Sequence, residues 1–156
     1  MGAEERLKEL GWQLPPAPGP IGAYVPVVRT GSLLFISGQL PVRKGQLPAE
    51  FTGRAGDILE ADVAQEAMRQ AALNALSIIR AELGSLDQVR RVVRLVGHVG
   101  SAPGFTDQAA VTNAASEVFL EVFGPERGSH ARLALGAAAL PKGSVVELEL
   151  IVEAEE

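Results

Sequence analysis

The stretch FISGQLP, residues 35 to 41, ends an apolar run in a serine, a glycine and a glutamine ahead of a proline. A strand that leaves a sheet in this way presents a hydroxyl at Ser37. At Gly38 it presents a backbone that a ligand can approach closely, because no Cβ intervenes. The same letters also describe an ordinary turn, in which Gly38 lets the chain bend and Ser37 satisfies a local backbone group. The remaining composition narrows the chemistry. The chain has no cysteine, which excludes thiolate nucleophiles, disulfides and Cys-ligated metals, and its 2 histidines argue against a catalytic zinc. Any reaction must therefore run on oxygen and guanidinium groups. Towards the end of the chain, Arg132 opens one β-rich run and Glu147 alternates with Val146 and Leu148 in another. A planar guanidinium can grip a carboxylate through two parallel charge-assisted hydrogen bonds, and a partly desolvated glutamate can hold water and move protons. On residue type alone, Arg132 also reads as a solvated strand residue. Glu147 likewise reads as one of several carboxylates on a wet face, with Glu149 and Glu153.

The elements that must position these groups follow from periodicity. Glu4 to Leu10 has Leu7 and Leu10 at helical spacing and stops at Gly11, which predicts a short helix. The segment QLPPAPGPIG then forces extended or turn geometry, because proline fixes φ and lacks a donor. Tyr24 to Val28 and Leu33 to Ser37 form a hairpin around RTGS, and residues 40 to 56, rich in Pro and Gly, form a long loop. Asp57 to Leu83 repeats apolar residues at three and four, which predicts a long helix closed by Gly84. Val89 to Val99 is a strand. A second helix follows PGFTD, with Val111, Ala115, Val118 and Val122 on one face, and stops at Gly124-Pro125. Two strands close the chain, Ala131 to Leu140 and Ser144 to Glu153. The β-β-α-β-α-β-β order predicts an α+β fold with a mixed sheet and both helices on one face. Since LLFI and VVELELIVE stay apolar on the second face as well, that face is expected to meet a neighbouring subunit.

The whole chain agrees with this outline. Its 156 residues suit a single domain, residues 1–156, with the helix and Pro-rich lead-in at 1–20 as an addition. Apolar residues at 47% against 21% charged lean towards an oligomer. A net charge of -5 provides no field for phosphate backbones, so nucleic acid is a poor partner. The start, MGAEERLKEL, is charged, and no run approaches the ~18 apolar residues of a membrane span, so a cytoplasmic location is expected.

Three separated segments carry a resemblance: IGAYVPVVRTGSLLFISGQLP from Ile21, VTNAASEVF from Val111, and HARLALGAAALPKGSVVELELIVEA from His130. Together they resemble the Rid (YjgF-like) family of reactive intermediate deaminases, also known as the endoribonuclease L-PSP family, over roughly residues 21 to 154. The resemblance implies a chorismate-mutase-like fold assembled as a homotrimer with clefts between subunits. It also implies hydrolysis of 2-imino acids, such as 2-iminopropanoate and 2-iminobutanoate, to 2-oxo acids and ammonia, with no cofactor or metal. In that scheme Arg132 holds the substrate carboxylate and Glu147 polarises the attacking water, while Tyr24, Ser37, Gly38, Asn113 and Ala134 line the substrate.

The chain also departs from the pattern. Leu133 stands where the family's deaminases usually have a small polar residue, and Ser116 where they have an aromatic. The stretch FGPERGSH is longer than usual, the region from 45 to 83 is expanded, and the N-terminal helix is extra. These features suggest a divergent branch. Neither His98 nor His130 has a partner that the sequence identifies, and both are expected to be structural, although His130 lies close to Arg132 in sequence and could line the cleft. Two other activities remain open beside imine hydrolysis. One is RNA cleavage or inhibition of translation, against which the acidic charge and the lack of a histidine pair argue. The other is a non-catalytic module that binds a small carboxylate, which needs the arginine but no activated water.

Overall fold

The computed structural model describes residues 1–156. Helix α1 spans Ala3–Glu9, and strands β1 (Val27–Thr30) and β2 (Leu33–Gln39) form the hairpin. They are followed by α2 (Ala61–Leu83), β3 (Val89–Gly100), α3 (Gln108–Gly128), β4 (Ala131–Ala137) and β5 (Val146–Ala154). The five strands make one sheet in the order β1-β2-β5-β3-β4. All pairs are antiparallel except β3 and β4, which run parallel and are joined by the crossover helix α3. The final strand therefore lies in the middle of the sheet, between β2 and β3.

The pleat of β5 decides which face is which. Val146, Leu148, Leu150 and Val152 are buried under α2 and α3, while Glu147, Glu149 and Glu153 point to the opposite face. In β2, Leu34 and Ile36 are buried beneath the helices, and Phe35 is left 42% exposed on the other face. Leu133 is 46% exposed on that same open face, so it remains apolar and uncovered within one chain. The helices α2 and α3 pack on each other and together cover one side of the sheet.

β4 ends at Ala137 rather than Leu140 and β5 begins at Val146 rather than Ser144, with a 3-10 turn at Pro141–Gly143 between them, and three other boundaries differ for local reasons. β1 begins at Val27 rather than Tyr24, because Pro26 has no N–H to give to the ladder; its carbonyl still accepts from Ser37 N at 2.9 Å. α2 begins at Ala61 rather than Asp57, since residues 54 to 59 close a turn of their own. In that turn Leu59 N donates to Arg54 O, Gly56 N donates to Leu59 O, and Arg54 pairs with Asp57. Gly124 does break α3 with φ 76°, but Pro125 then starts one more turn that runs to Gly128. At the other end of the long helix, Gly84 closes α2 in the left-handed conformation with φ 82°.

The N-terminal segment is tied to this body. Ala3 and Leu7 are buried, and Glu4 accepts from Leu86 N at 2.9 Å and from Arg80 Nε at 3.0 Å. Arg69 lies 4.2 Å over the Trp12 ring, and Ser77 Oγ donates to Pro15 O at 2.7 Å. These contacts lead the Pro-rich segment back towards the end of β2.

Candidate functional site

The pairing of β2 with β5 is irregular between Ile36 and Gln39, and Gly38 lies in that step. Gly38 is not among the glycines with positive φ. It is required instead by what stands over it: a Cβ there would run into Glu147 Oε1 and sit 3.1 Å from Glu147 Cδ. The Ser-Gly-Gln exit thus makes room for a carboxylate. A cleft of about 450 Å³ opens here, lined by Tyr24, Ser37, Gly38 and Glu147, with Pro18 and Ile21 of the lead-in as one wall. Ser37 Oγ donates to Val25 O at 2.7 Å, so its proton serves the local backbone while its oxygen stays able to accept. Tyr24 lies in the loop before β1, and its hydroxyl oxygen accepts from Ile21 N at 3.1 Å, which fixes the phenol at the cleft wall.

Burial pushes the Glu147 carboxyl above its usual value of 4.5; nearby His98 pulls it down and Glu149 pushes it further up. The register explains the neighbours. His98 of β3 is paired with Glu147 of β5, and its Nε2 lies 3.9 Å from Glu149. Sequence spacing could not bring His98 to this carboxylate, because the two residues meet only through the β3–β5 pairing.

Arg132 belongs to a different part of the molecule. It pairs with Leu95 on the edge strand β4 and turns to the helix side, where its Nη1 donates to Asn113 Oδ1 at 2.6 Å and to Ser116 Oγ at 3.2 Å. Gly97, next to Ala134 in the β3–β4 register, leaves no Cβ to strike Thr112, so α3 lies close enough for Asn113 and Ser116 to reach the arginine. Asn113, expected from the resemblance to touch substrate, uses its oxygen on Arg132. Ala134 lies two residues along the same face of β4. Ser116 also meets His130 Nε2 at 2.9 Å, so both histidines acquire partners that the sequence did not reveal.

Within one chain, then, the expected residues fall into two groups. Tyr24, Ser37, Gly38 and Glu147 share the cleft at β2 and β5, whereas Arg132, Asn113 and Ala134 gather at β4. Strand β4 is two places from β5 and three from β2, roughly 10 to 14 Å at ordinary strand spacing, and Arg132 turns to the helix side while Glu147 faces the open side. A single small carboxylic acid cannot touch both groups of one chain. No helix is long and apolar enough to cross a membrane, and no cluster of three or more His, Asp or Glu side chains could hold a metal ion.

A mixed sheet with a β-β-α-β-α-β-β core, a crossover α3 and a carboxylate cradled by a glycine at a strand exit define a recognisable class. The chain belongs to the family described as "YjgF/chorismate_mutase-like, putative endoribonuclease", whose model matches residues 4–154. The fold expected from the sequence is therefore the fold that the family shares. Protein TCP17 of Trypanosoma cruzi is 46% identical over 94% of this chain and 91% of its own length. A human 2-iminobutanoate/2-iminopropanoate deaminase is 30% identical over 86% of this chain and 82% of its own length. Among solved structures, the protein Atu1372 of Agrobacterium tumefaciens, of unknown function, is 42% identical with a TM-score of 0.88, covering 98% of this chain and 92% of that one. TdcF of E. coli, solved with bound serine, is 26% identical with a TM-score of 0.62, covering 89% and 94%. The family thus includes imine deaminases and members that bind small molecules.

Proposed function

We propose that this chain hydrolyses 2-imino acids to 2-oxo acids and ammonia, at clefts completed by the Arg132 edge of a neighbouring copy in a homotrimer. The observation that carries the reading is the separation of two complementary half-sites. One holds a desolvated carboxylate with raised pKa in a lined cleft, and the other holds a guanidinium on an edge strand. A substrate with a carboxylate beside a C=N bond needs both. Arg132 takes the carboxylate, which places C2 over Glu147. Glu147 accepts a proton from water as the water oxygen adds to C2, and passes that proton to the imine nitrogen. The tetrahedral carbinolamine then collapses: Glu147 takes the hydroxyl proton and delivers it to the nitrogen, the C–N bond breaks, and ammonia leaves the 2-oxo acid behind. Serine bound to TdcF and the deaminase activity named for the human relative support a small amino-acid-derived ligand.

The test uses 2-iminopropanoate generated in place by an amino-acid oxidase, with semicarbazide trapping the imine that survives. Wild type accelerates imine loss, and Arg132→Ala and Glu147→Gln each lose that acceleration. Mixed oligomers of the two inactive variants recover activity at about a quarter of their sites, because a site then draws Glu147 from one copy and Arg132 from another. Full activity in Arg132→Ala, or no recovery in the mixture, would overturn the shared-site hydrolase.

A further inference from the structure

The guanidinium of Arg132 is held on one side only. Both of its hydrogen bonds within the chain leave from Nη1, to Asn113 and to Ser116, and nothing in the chain bonds Nε or Nη2. Behind Ser116 stands His130, whose Nδ1 lies 2.6 Å from Gly128 O. A carbonyl oxygen only accepts, so Nδ1 carries the hydrogen, and in the neutral ring Nε2 carries the lone pair. Nε2 therefore accepts the Ser116 hydroxyl proton at 2.9 Å, which turns a lone pair of Ser116 Oγ towards Arg132 Nη1. The ring is further fixed by an edge-on contact with Phe119, with centroids 6.2 Å apart at 89°. The backbone that delivers His130 is also built for the purpose. Gly124 breaks α3, and Gly128 packs where a Cβ would lie 2.6 Å from Phe119 O, so the turn folds back under the helix that carries Ser116.

We propose that Ser116 and His130 are positioning residues for Arg132: the relay Gly128–His130–Ser116 orients Nη1 and so presents the free Nε/Nη2 edge to the substrate carboxylate. This rests on the proposed deaminase reading, in which Arg132 binds that carboxylate. Side-on binding through Nε and Nη2 uses two parallel donors, and the relay leaves both of them unoccupied. With the hydroxyl removed, the guanidinium is anchored by Asn113 alone and can turn about that single bond.

The experiment compares Ser116→Ala, Ser116→Thr, His130→Phe and Arg132→Ala in the full-length oligomer. It reads kcat and KM for 2-iminobutanoate, together with the Kd of 2-oxobutanoate by calorimetry. Ser116→Ala raises KM and Kd about tenfold with kcat changed less than about twofold, the loss expected for one hydrogen bond to a charged group. His130→Phe keeps the ring against Phe119 but frees the hydroxyl, and raises both about threefold. Ser116→Thr restores the hydroxyl and returns both towards wild type. Wild-type binding in Ser116→Ala and His130→Phe, with binding lost in Arg132→Ala, overturns the relay and leaves the deaminase reading standing. A fall in kcat without a rise in Kd overturns it as well, since a positioning role acts through carboxylate affinity. Wild-type binding and turnover in Arg132→Ala overturn the deaminase reading itself. Should Ser116→Ala fail to fold, His130→Phe and Ser116→Thr decide the matter by the same Kd comparison.

Discussion

Replacing Gly38 by alanine separates the two meanings of the Ser-Gly-Gln exit. If Gly38 were there to let the chain turn, the cost would fall on the fold. Its φ is not positive, however, so an alanine adopts the same backbone. The conflict is with Glu147: the new Cβ overlaps Oε1 and lies 3.1 Å from Cδ and 3.4 Å from Cγ. Restoring an ordinary carbon–oxygen contact requires Oε1 to move by about 1 Å. For the fold this is cheap, because the carboxylate is the far end of a flexible side chain that can rotate about its broad terminal torsion and shift by a few tenths of an ångström. Removing a glycine also restricts the unfolded chain, which is worth roughly 0.4–1 kcal/mol in favour of the folded state. For a carboxylate that must hold a water against C2 of the substrate, the same 1 Å costs about 100-fold in kcat, or about 2.7 kcal/mol of barrier. Gly38→Ala should therefore melt at or slightly above the wild-type temperature while losing about two orders of magnitude in imine hydrolysis. Calorimetric melting and the semicarbazide assay on the same preparation measure both. Wild-type turnover in a normally stable protein would refute the cradle, and a fall of several degrees in Tm with proportionate activity would restore Gly38 to the role of a turn residue.

Two further changes probe the halves of the site separately. Because burial raises the Glu147 carboxyl above 4.5, its contribution to stability is complete below that value and is lost as pH climbs through the raised one. Glu147→Gln, which resembles the protonated acid, should therefore match wild type in urea unfolding at about pH 4 and become the more stable protein towards neutrality, with kcat down about 10²- to 10⁴-fold. A stability gap that closes as pH rises would contradict this. On the other half, Gly97→Ala places a methyl 2.6 Å from Thr112 Cγ2 and 3.0 Å from its Cβ, which pushes α3 off the sheet. A loss of about 1–3 kcal/mol in denaturant unfolding is expected, with a raised KM because Asn113 and Ser116 ride on that helix. A stable variant with an unchanged KM would show that α3 does not set the arginine.

The alternation of Val146, Leu148, Leu150 and Val152 against Glu147, Glu149 and Glu153 was readable, because a strand half-buried under helices enforces a period of two. The glycine closing α2 was readable for the same kind of local reason. Contacts between elements were not. The pairing of His98 with Glu147 is a matter of β3–β5 register, and the pairing of His130 with Ser116 depends on a broken helix turn folding back on its own previous turns. Ser116 and the long stretch FGPERGSH stood out separately in the sequence, and the structure brings them into contact, so one departure supplies the partner of the other. Asn113 likewise accepts from Arg132 through a contact between α3 and β4 that sequence spacing did not reveal.

Strand order has the largest consequence. Arg132 and Glu147 lie on strands that are consecutive in sequence, and consecutive strands are commonly neighbours in a sheet. The parallel partner β3 instead comes between β4 and β5, so consecutive strands are not neighbours. Arg132 turns to the helix side of its strand, and Glu147 turns to the open side of its own. A chain folded this way cannot close its own arginine onto its own carboxylate. Each copy does, however, leave a lined cleft at β2 and β5, an edge strand with a free guanidinium edge, and an apolar open face with Phe35 and Leu133 partly exposed. Association through that face would bury the apolar surface and, by rotational symmetry, offer one copy's β4 edge to the next copy's cleft. On the proposed reading, assembly and activity are then one event, and weakening the open face should lower activity and oligomer size together.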